Sequence, residues 1–375
     1  MKIEQRLNEM LENLKEKGAF RSLKQKEGLV DFCSNDYLGF ARSAELKESV
    51  AVHYRLLSQS GATGSRLLSG HHPLMEELEQ LLCQFHNATS ALLFNSGYDA
   101  NLSLLSSIPR RGDMILFDSL VHASIHDGMR MGKADTCAFQ HNDLIDLKAK
   151  LEENSAIKGQ LFVVVESLYS MDGDIAPLTD IAQLCEMQGA ALIVDEAHAT
   201  GVLGHNGVGL VQDLQLQDKV FARVHTFGKA IGGHGAVILG STALRNYLIN
   251  FARPLIFSTA MPLQAVLHVI EAYKILDQNG EAFRLALQEK VDFFRMSITS
   301  ISQEYRILPS VTPIQGLVIP GNEAVSAKAL QLQQAGFDVR PIRYPTVSMG
   351  TERLRICVHL FNNDIDIINL LDLLK

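Results

Sequence analysis

Residues 220–240 read VFARVHTFGKAIGGHGAVILG, a glycine-rich segment with a single lysine between two apolar runs. The apolar runs at 220–224 and 236–239 predict two strands, so Lys229 is expected in the connection between them. A lysine is costly in a tight connection, because its stem loses entropy on ordering and its charge resists burial. A solvated lysine and a Schiff-base lysine that condenses with a carbonyl compound both remain possible from this stretch alone.

Two further apolar runs, LFVVV at 161–165 and AALIV at 190–194, are typical of strands buried on both faces of a parallel α/β sheet. Polar residues follow each run, and Asp195 and His198 follow the second. The carboxyl ends of parallel strands line the ligand crevice of such sheets. Burial of Asp195 is unfavourable unless a cation faces it, which predicts either a cationic ligand or a structural arginine there.

A possible phosphate site follows the short strand predicted at 90–94, where the sequence continues NSGYD before a helix expected to begin near Ala100. Backbone N–H groups at a helix N-terminus suit an anion, although a plain capped helix start has the same pattern. The glycine-rich stretch at 60–70 lacks both the dinucleotide and the P-loop spacing. His122 and His126 are four residues apart, but no further ligands accompany them, so no metal site is predicted.

The composition narrows the class of protein. The chain has 375 residues, 47% hydrophobic and 20% charged, which suits a large α/β domain with a smaller one. A net charge of -8 without a block of Lys or Arg argues against nucleic acid. VDEAH at 194–198 resembles a helicase motif, but the GxxxxGK[ST] partner is absent. Scattered cysteines and the lack of a membrane-length apolar span predict a reduced, cytoplasmic protein.

We predict three regions: an N-terminal arm and helix at 1–45, a large α/β domain at 46–275 and a small α+β domain at 276–375. A long helix is expected from 263 to about 302. In the small domain, RLRI at 353–356 places Arg353 and Arg355 on one face of a strand. Arginine suits carboxylate binding, but periodicity does not distinguish the two, and we interpret Arg353 as surface charge.

Nine motifs spread over nearly the whole chain resemble the α-oxoamine synthase family of fold-type I pyridoxal 5′-phosphate (PLP) enzymes. They read NDYLGF, GATGSRLLSGHHPLMEELE, FNSGYDAN, DSLVHASIHDG, ESLYSMDGDIAPL, VDEAHATGVLG, HTFGKAIGGHGA, FSTAMP and PTVSMGTERLRI. The resemblance implies the α/β fold of these PLP-dependent transferases, with a mostly parallel central sheet flanked by helices and a smaller α+β C-terminal domain. It also implies PLP as the cofactor.

The resemblance further implies roles at matching positions. Lys229 would form the Schiff base with the cofactor aldehyde, and Asp195 would face the pyridine nitrogen. His198 would hydrogen-bond the ring oxygen, and His122 would stack on the ring face; these four would be the catalytic residues. The other cofactor contacts implied are Gly97, Tyr98, Ser170 and Thr226.

For the substrates, the resemblance assigns the amino acid carboxylate to Asn35 and Arg355. By spacing alone, Asn35 is better explained as a turn former. Arg21, Arg343 and Thr346 would line the acyl side. The implied reaction is a decarboxylating condensation, most like that of the family member that joins L-alanine to a pimeloyl thioester, carried by CoA or a carrier protein, in biotin biosynthesis.

The family resemblance also implies a homodimer with shared active sites, in which Ser258 or Thr259 reaches the phosphate bound by the partner subunit. The sequence departs from the family at 343–348, where RYPTVS replaces the usual RPPTVP, and at Gly233, where valine is usual. Both departures are expected near the channel for the acyl chain, so they bear on which acyl chain is bound more than on the type of reaction.

Three kinds of alternative function are considered: another member of the same family, an aminotransferase and a non-catalytic binding protein. Serine palmitoyltransferase, 5-aminolevulinate synthase and glycine C-acetyltransferase need the same cofactor residues. A PLP aminotransferase usually has an aromatic residue in place of His122. A non-catalytic binding protein would be expected to lack Lys229, Asp195 or His198, and all three are present.

Overall fold

The computed structural model describes residues 1–23, 28–299 and 304–375, which form two compact units. The large unit comprises Leu38–Tyr169 and Ile175–Leu285, and the small unit comprises Met1–Tyr37, Ser170–Asp174 and Ala286–Lys375. The domain boundaries expected at 45 and 275 stay predictions. No helix in the described part of the chain is long and apolar enough to cross a membrane.

The helices are α1 (Lys2–Glu16), α2 (Ala44–Tyr54), α3 (Pro73–Phe85), α4 (Gly97–Ser107), α5 (Ala123–Met131), α6 (Leu144–Glu153), α7 (Leu178–Gln188), α8 (Leu210–Asp213), α9 (Thr242–Phe251), α10 (Arg253–Ile256), α11 (Leu263–Ile298), α12 (Asn322–Gln334) and α13 (Asp364–Asp372). The expected extension of α11 to 302 falls on residues 300–303, which lie outside the described part.

The strands are β1 (Val30–Asp31), β2 (Ser90–Phe94), β3 (Met114–Asp118), β4 (Asp135–Phe139), β5 (Leu161–Glu166), β6 (Ala191–Asp195), β7 (Val220–Thr226), β8 (Ala236–Gly240), β9 (Arg306–Ile307), β10 (Ile314–Val318), β11 (Phe337–Asp338), β12 (Arg340–Ile342) and β13 (Arg353–Cys357).

The large unit contains the mostly parallel sheet expected of the fold. Its described strands lie in the order β2-β8-β7-β6-β5-β3-β4. Strand β8 is antiparallel to its neighbours β2 and β7. The pairs β7-β6, β6-β5, β5-β3 and β3-β4 are parallel. The carboxyl ends of β5, β6 and β7 therefore meet at one edge of the sheet, where Asp195 and Thr226 end their strands.

Hydrophobic clusters cover both faces of this sheet, which explains the continuous apolar runs. Along β5, Phe162 and Val164 belong to one cluster, together with residues of α4 and α5. Val163 and Val165 belong to another cluster, together with residues of α7. Because alternate strand residues point to opposite faces, a strand between two layers of helices has no polar face.

The small unit contains an antiparallel sheet in the order β12-β13-β10-β9. Leu354 and Ile356 of β13 join a cluster with residues of α12 and α13. Their neighbours Arg353 and Arg355 alternate with them along the strand. The α+β character expected of this region is thus confirmed.

Candidate active site

The start of α4 forms the first part of the site. Ser96 caps the helix, because its side chain accepts a hydrogen bond from the Asp99 N–H at 3.1 Å. The helix consequently begins at Gly97, and the predicted start near Ala100 was three residues too late. The N–H groups of Gly97 and Tyr98 fall in the first turn, where a helix has no carbonyl to accept them.

Thr226, the last residue of β7, lies directly against this helix start. A Cβ atom on Gly97 would come within 2.4 Å of the Thr226 Cγ2, so the close approach requires glycine. The Thr226 hydroxyl donates to the carbonyl of Ala197 at 3.4 Å. A helix N-terminus beside a threonine hydroxyl is a suitable cradle for a phosphate group. Tyr98 offers its backbone here, since its side chain is 43% exposed and its hydroxyl donates to Asp127.

Asp195 is buried at the end of β6 and is held by two donors. The Asn101 side-chain amide donates to Oδ2 at 2.7 Å, and the Ala197 N–H donates to Oδ1 at 2.9 Å. Donors to the ionised form offset the cost of burying a carboxylate. The cation expected beside Asp195 is therefore not needed for its burial, and the carboxylate can face a protonated ring nitrogen.

Asn101 also connects Asp195 to His122. Its amide donates to Ser124 Oγ at 3.0 Å, and Ser124 Oγ lies 2.8 Å from His122 Nδ1. The Ser124 N–H also donates to this nitrogen, at 3.2 Å, so Nδ1 is an acceptor and the neutral ring carries its proton on Nε2. The sequence reasoning missed Asn101 and Ser124. An asparagine inside a helix that begins with a possible phosphate site is a usable signal, because asparagine is a poor helix former.

The charges around His122 place Lys229 at the same site. Burial lowers the pKa of His122, the negative charge of Asp195 raises it, and the positive charge of Lys229 lowers it. Lys229 is half-buried in the connection between β7 and β8, as expected. Two backbone hydrogen bonds close that connection: Phe227 N–H to Gly235 O at 2.9 Å, and Gly233 N–H to Phe227 O at 2.7 Å.

The large unit thus carries Gly97, Tyr98, His122, Asp195, His198, Thr226 and Lys229. His198 is 5% exposed, in the turn that follows Asp195. Gly233, where the family usually has valine, lies against His268. A Cβ atom at position 233 would come within 2.8 Å of the His268 ring, so a larger side chain would require His268 or the backbone at 233 to shift.

The small unit carries the residues expected to bind the amino acid substrate. Arg355 is 9% exposed and donates to Asn35 Oδ1 at 2.9 Å and to the Ser170 carbonyl at 2.6 Å. Ser170, expected at the cofactor, belongs to this unit. The interpretation of Arg353 as surface charge was wrong. Arg353 is buried, and its charge is compensated there by an ion pair with Asp172 and a hydrogen bond donated to the Thr351 carbonyl.

The structure also brings together the residues expected on the acyl side. Arg21 donates to Thr346 Oγ1 at 3.4 Å. Arg343 donates to the Gly18 carbonyl at 2.6 Å and to the Phe20 carbonyl at 3.2 Å. Arg343 therefore anchors the segment that follows α1, in addition to any role in binding substrate.

The residues of the large unit are suited to PLP. The cradle between Gly97 and Thr226 suits the phosphate, and the doubly bonded Asp195 suits a protonated pyridine nitrogen. Lys229 supplies an amine for the aldehyde, within the electrostatic reach of His122. A neutral His122 ring can stack on an aromatic ring without adding a charge to it.

Comparisons with known proteins show the family that the chain matches. The aminotransferase class I and II family model matches residues 27–368. The chain is 38% identical to an 8-amino-7-oxononanoate synthase of Emericella nidulans, a match that covers 92% of this chain and 88% of the relative.

Solved structures show the same fold. A structure of SPT with a PLP internal aldimine superimposes with a TM-score of 0.88 and 25% identity, covering 98% of this chain and 95% of that one. The 8-amino-7-oxononanoate synthase of Francisella tularensis superimposes with a TM-score of 0.76 and 28% identity, covering 93% of this chain and 97% of that one.

Proposed function

Because this chain belongs to the aminotransferase class I and II family of PLP enzymes, we propose that it condenses L-alanine with a pimeloyl thioester. The products are 8-amino-7-oxononanoate, carbon dioxide and the free thiol, in a step of biotin synthesis. The proposal rests chiefly on the similarity, over nearly the full length, to an enzyme named for this product. The resemblance of nine sequence motifs to α-oxoamine synthases supports it.

PLP, when bound, supplies an aldehyde that condenses with amines and a ring that takes up the electron pair left by bond cleavage at the α-carbon. Lys229 would hold the cofactor through its aldehyde, and its amine, once free, would be placed to remove the α-proton of alanine. Asp195, which accepts hydrogen bonds from Asn101 and the Ala197 N–H, would face the ring nitrogen and favour its protonated form. His122 covers one face of the ring and excludes water from it.

His198 is proposed to hold the ring oxygen and to donate a hydrogen bond to the carbonyl oxygen of the thioester as the new carbon–carbon bond forms. Its burial three residues after Asp195 is consistent with a position in the crevice. His198→Asn should therefore retain the cofactor and sharply lower the rate of condensation. Loss of cofactor binding with an unchanged rate per bound cofactor would contradict this role.

On the small unit, Arg355 is proposed to bind the carboxylate of alanine, with Asn35 orienting its guanidinium group through their 2.9 Å hydrogen bond. Arg21, Arg343 and Thr346 are proposed to contact the acyl donor. We also propose a cytoplasmic homodimer with shared active sites, as the family resemblance implies, with Ser258 or Thr259 at the partner's phosphate.

A second candidate function is serine palmitoyltransferase activity, favoured by the superposition with SPT. It would use the same cofactor residues and differ in both substrates. The higher identity to the curated synthase favours alanine and the pimeloyl chain.

The PLP-loaded protein should be mixed with L-alanine, glycine or L-serine and with pimeloyl, succinyl, acetyl or palmitoyl thioesters, while thiol release is followed. Release with L-alanine and the pimeloyl thioester alone is the expected result. Release with L-serine and the palmitoyl thioester would support the second candidate. Absence of thiol release with every pair would contradict both.

A further inference from the structure

Glu166 is a second buried carboxyl group beside Asp195. The two residues end the neighbouring parallel strands β5 and β6 and are paired in register, which places their side chains on the same face of the sheet. Glu166 is 3% exposed and Asp195 is 6% exposed. Two ionised carboxylates side by side in a buried site repel each other, so one of them is expected to retain a proton.

The hydrogen-bond partners differ between these two carboxyl groups. Asp195 has a donor on each oxygen, from Asn101 and from the Ala197 N–H. The backbone N–H of His122 is close enough to the Glu166 carboxyl to lower its pKa. In the part of the chain that the structure describes, Oε1 of Glu166 is buried without any hydrogen-bond partner. An ionised Glu166 would leave a buried anionic oxygen unsatisfied, whereas Asp195 is solvated by the protein.

The charged groups around Glu166 lie on several elements. Burial raises the pKa of Glu166 well above its ordinary value, and the negative charges of Asp195 on β6 and Asp118 on β3 raise it further. The positive charge of Lys229 and the His122 N–H act in the opposite direction but do not cancel these effects.

We propose that Glu166 keeps its proton at neutral pH and acts as a positioning residue that holds the His122 turn, while Asp195 alone carries the negative charge. In this arrangement the His122 N–H faces a neutral carboxyl group, and no second negative charge is required in the crevice. At high pH, Glu166 loses this proton to solvent, and a second negative charge then faces Asp195 and Lys229. The charge assignment is independent of the proposed function; the positioning role rests on the PLP site but not on the substrates.

The charge assignment is tested first in the cofactor-free protein by infrared difference spectroscopy at pH 7. A protonated carboxyl absorbs at a higher frequency than a carboxylate. Wild type minus Glu166→Gln should show the loss of a protonated carboxyl band, while the exposed Glu45→Gln controls for the loss of one carboxyl group. Glu196, whose pKa is raised to about 7 by burial, contributes a similar band to both proteins and cancels in the difference.

The pH dependence of stability is a second readout. Since the folded state binds the Glu166 proton more tightly than the unfolded state, wild type loses stability as pH rises above the unfolded pKa near 4.5. Glu166→Gln lacks this loss, so its unfolding temperature relative to wild type should rise between pH 5 and pH 8. The change of this difference in unfolding temperature with pH is compared, and not its value at one pH, because the amide also changes the absolute stability.

The positioning role is tested in the loaded enzyme. Glu166→Ala removes the acceptor for the His122 N–H and should lower kcat/KM at least about tenfold, with Glu166→Gln restoring most of the loss. Wild type is expected to change its cofactor absorbance at alkaline pH as Glu166 ionises beside Asp195 and Lys229, and Glu166→Gln should lack this change.

The proposal is overturned if Glu166→Gln loses a carboxylate band in place of a protonated one, or if its kcat/KM falls as far as that of Glu166→Ala. If Glu166→Gln does not fold, Glu196→Gln protein labelled at glutamate carboxyl carbons is titrated instead, so that the protonated band of Glu196 is absent. A protonated glutamate band that persists above pH 7 supports the assignment, and its disappearance below pH 6 contradicts it. None of the infrared results depends on the substrates, so failure of the Glu166 proposal can be distinguished from failure of the proposed function.

Discussion

Asn101 donates a 2.7 Å hydrogen bond to Asp195, and this bond ties the first turns of α4 to the carboxyl end of β6. The helix whose N-terminus suits a phosphate group therefore also holds the carboxylate that we propose to face the ring nitrogen. The same amide reaches Ser124, which bonds to His122. One side chain thus holds both the carboxylate that we propose to face the ring nitrogen and, through Ser124, the imidazole that we propose to cover the ring.

Replacement of Asn101 by alanine should weaken PLP binding. Asp195 would lose one of its two donors, and a lost hydrogen bond to a charged group costs about 1.5–3 kcal/mol, or roughly 10-fold to 100-fold in affinity. Equilibrium titration of the cofactor-free protein with PLP measures the effect. Ser103→Ala, on the same helix, is the matched control, because the Ser103 hydroxyl is buried without a partner among the described residues. Equal losses in both variants would contradict the role of Asn101.

Gly97→Ala should also lower PLP affinity, for a steric reason. The new Cβ would come within 2.4 Å of the Thr226 Cγ2, so the helix start or β7 must shift and open the cradle. Thr226→Ser removes that methyl group and keeps the hydroxyl. The double variant Gly97→Ala with Thr226→Ser should therefore bind PLP more tightly than Gly97→Ala alone. If the double variant loses as much binding free energy as the two single variants together, the contact between residue 97 and the Thr226 methyl group does not limit PLP binding.

Arg355→Lys should raise the KM for L-alanine by about tenfold or more and leave PLP affinity within about twofold, since lysine lacks the two-pronged geometry for a carboxylate. Steady-state kinetics with varied alanine measure the change. Arg353→Lys is the control on the same face of β13, where the partner is Asp172. A larger increase in KM for Arg353→Lys than for Arg355→Lys would contradict the assignment, because it would place the substrate carboxylate at Arg353.

Acid should destabilise the protein through His86. Burial, and then the charge of Arg223, lower the pKa of His86 to about 3, from an ordinary value of 6.5. The unfolded chain takes up the proton first as pH falls below 6.5, so the folded state loses about 2 kcal/mol relative to it by pH 5. Urea denaturation of wild type and His86→Gln at pH 7 and pH 5 measures this loss. The variant should show a smaller decrease between the two pH values, and an equal decrease would contradict the assignment.

Much of the fold was predictable because its signals are local. LFVVV and AALIV marked strands buried on both faces, and β2 begins and ends where expected. The start of α4 was misplaced because Ser96 in NSGYD was not recognised as the N-cap. β4 was not anticipated, since DTCAF is short and largely exposed and takes its structure from pairing with β3.

The site was partly predictable, because the polar residues that end parallel strands are visible in the sequence. Asp195 was singled out in this way, Lys229 from its position between two apolar runs, and Thr226 from the family resemblance. Asn101 and Glu166 act through contacts between elements distant in the chain, and no local pattern reports which donor meets which carboxylate. Arg353 was misjudged for the same reason, because its partner Asp172 lies 181 residues away.

The central claim is the decarboxylating condensation, and the fate of the alanine carboxyl carbon tests it most directly. The PLP-loaded enzyme is mixed with carboxyl-labelled L-alanine and the pimeloyl thioester, and the gas and the products are analysed by mass spectrometry. The account predicts one labelled carbon dioxide for each thiol released and an unlabelled 8-amino-7-oxononanoate. Label retained in a keto acid, with no thiol released, would contradict it and indicate amino-group transfer.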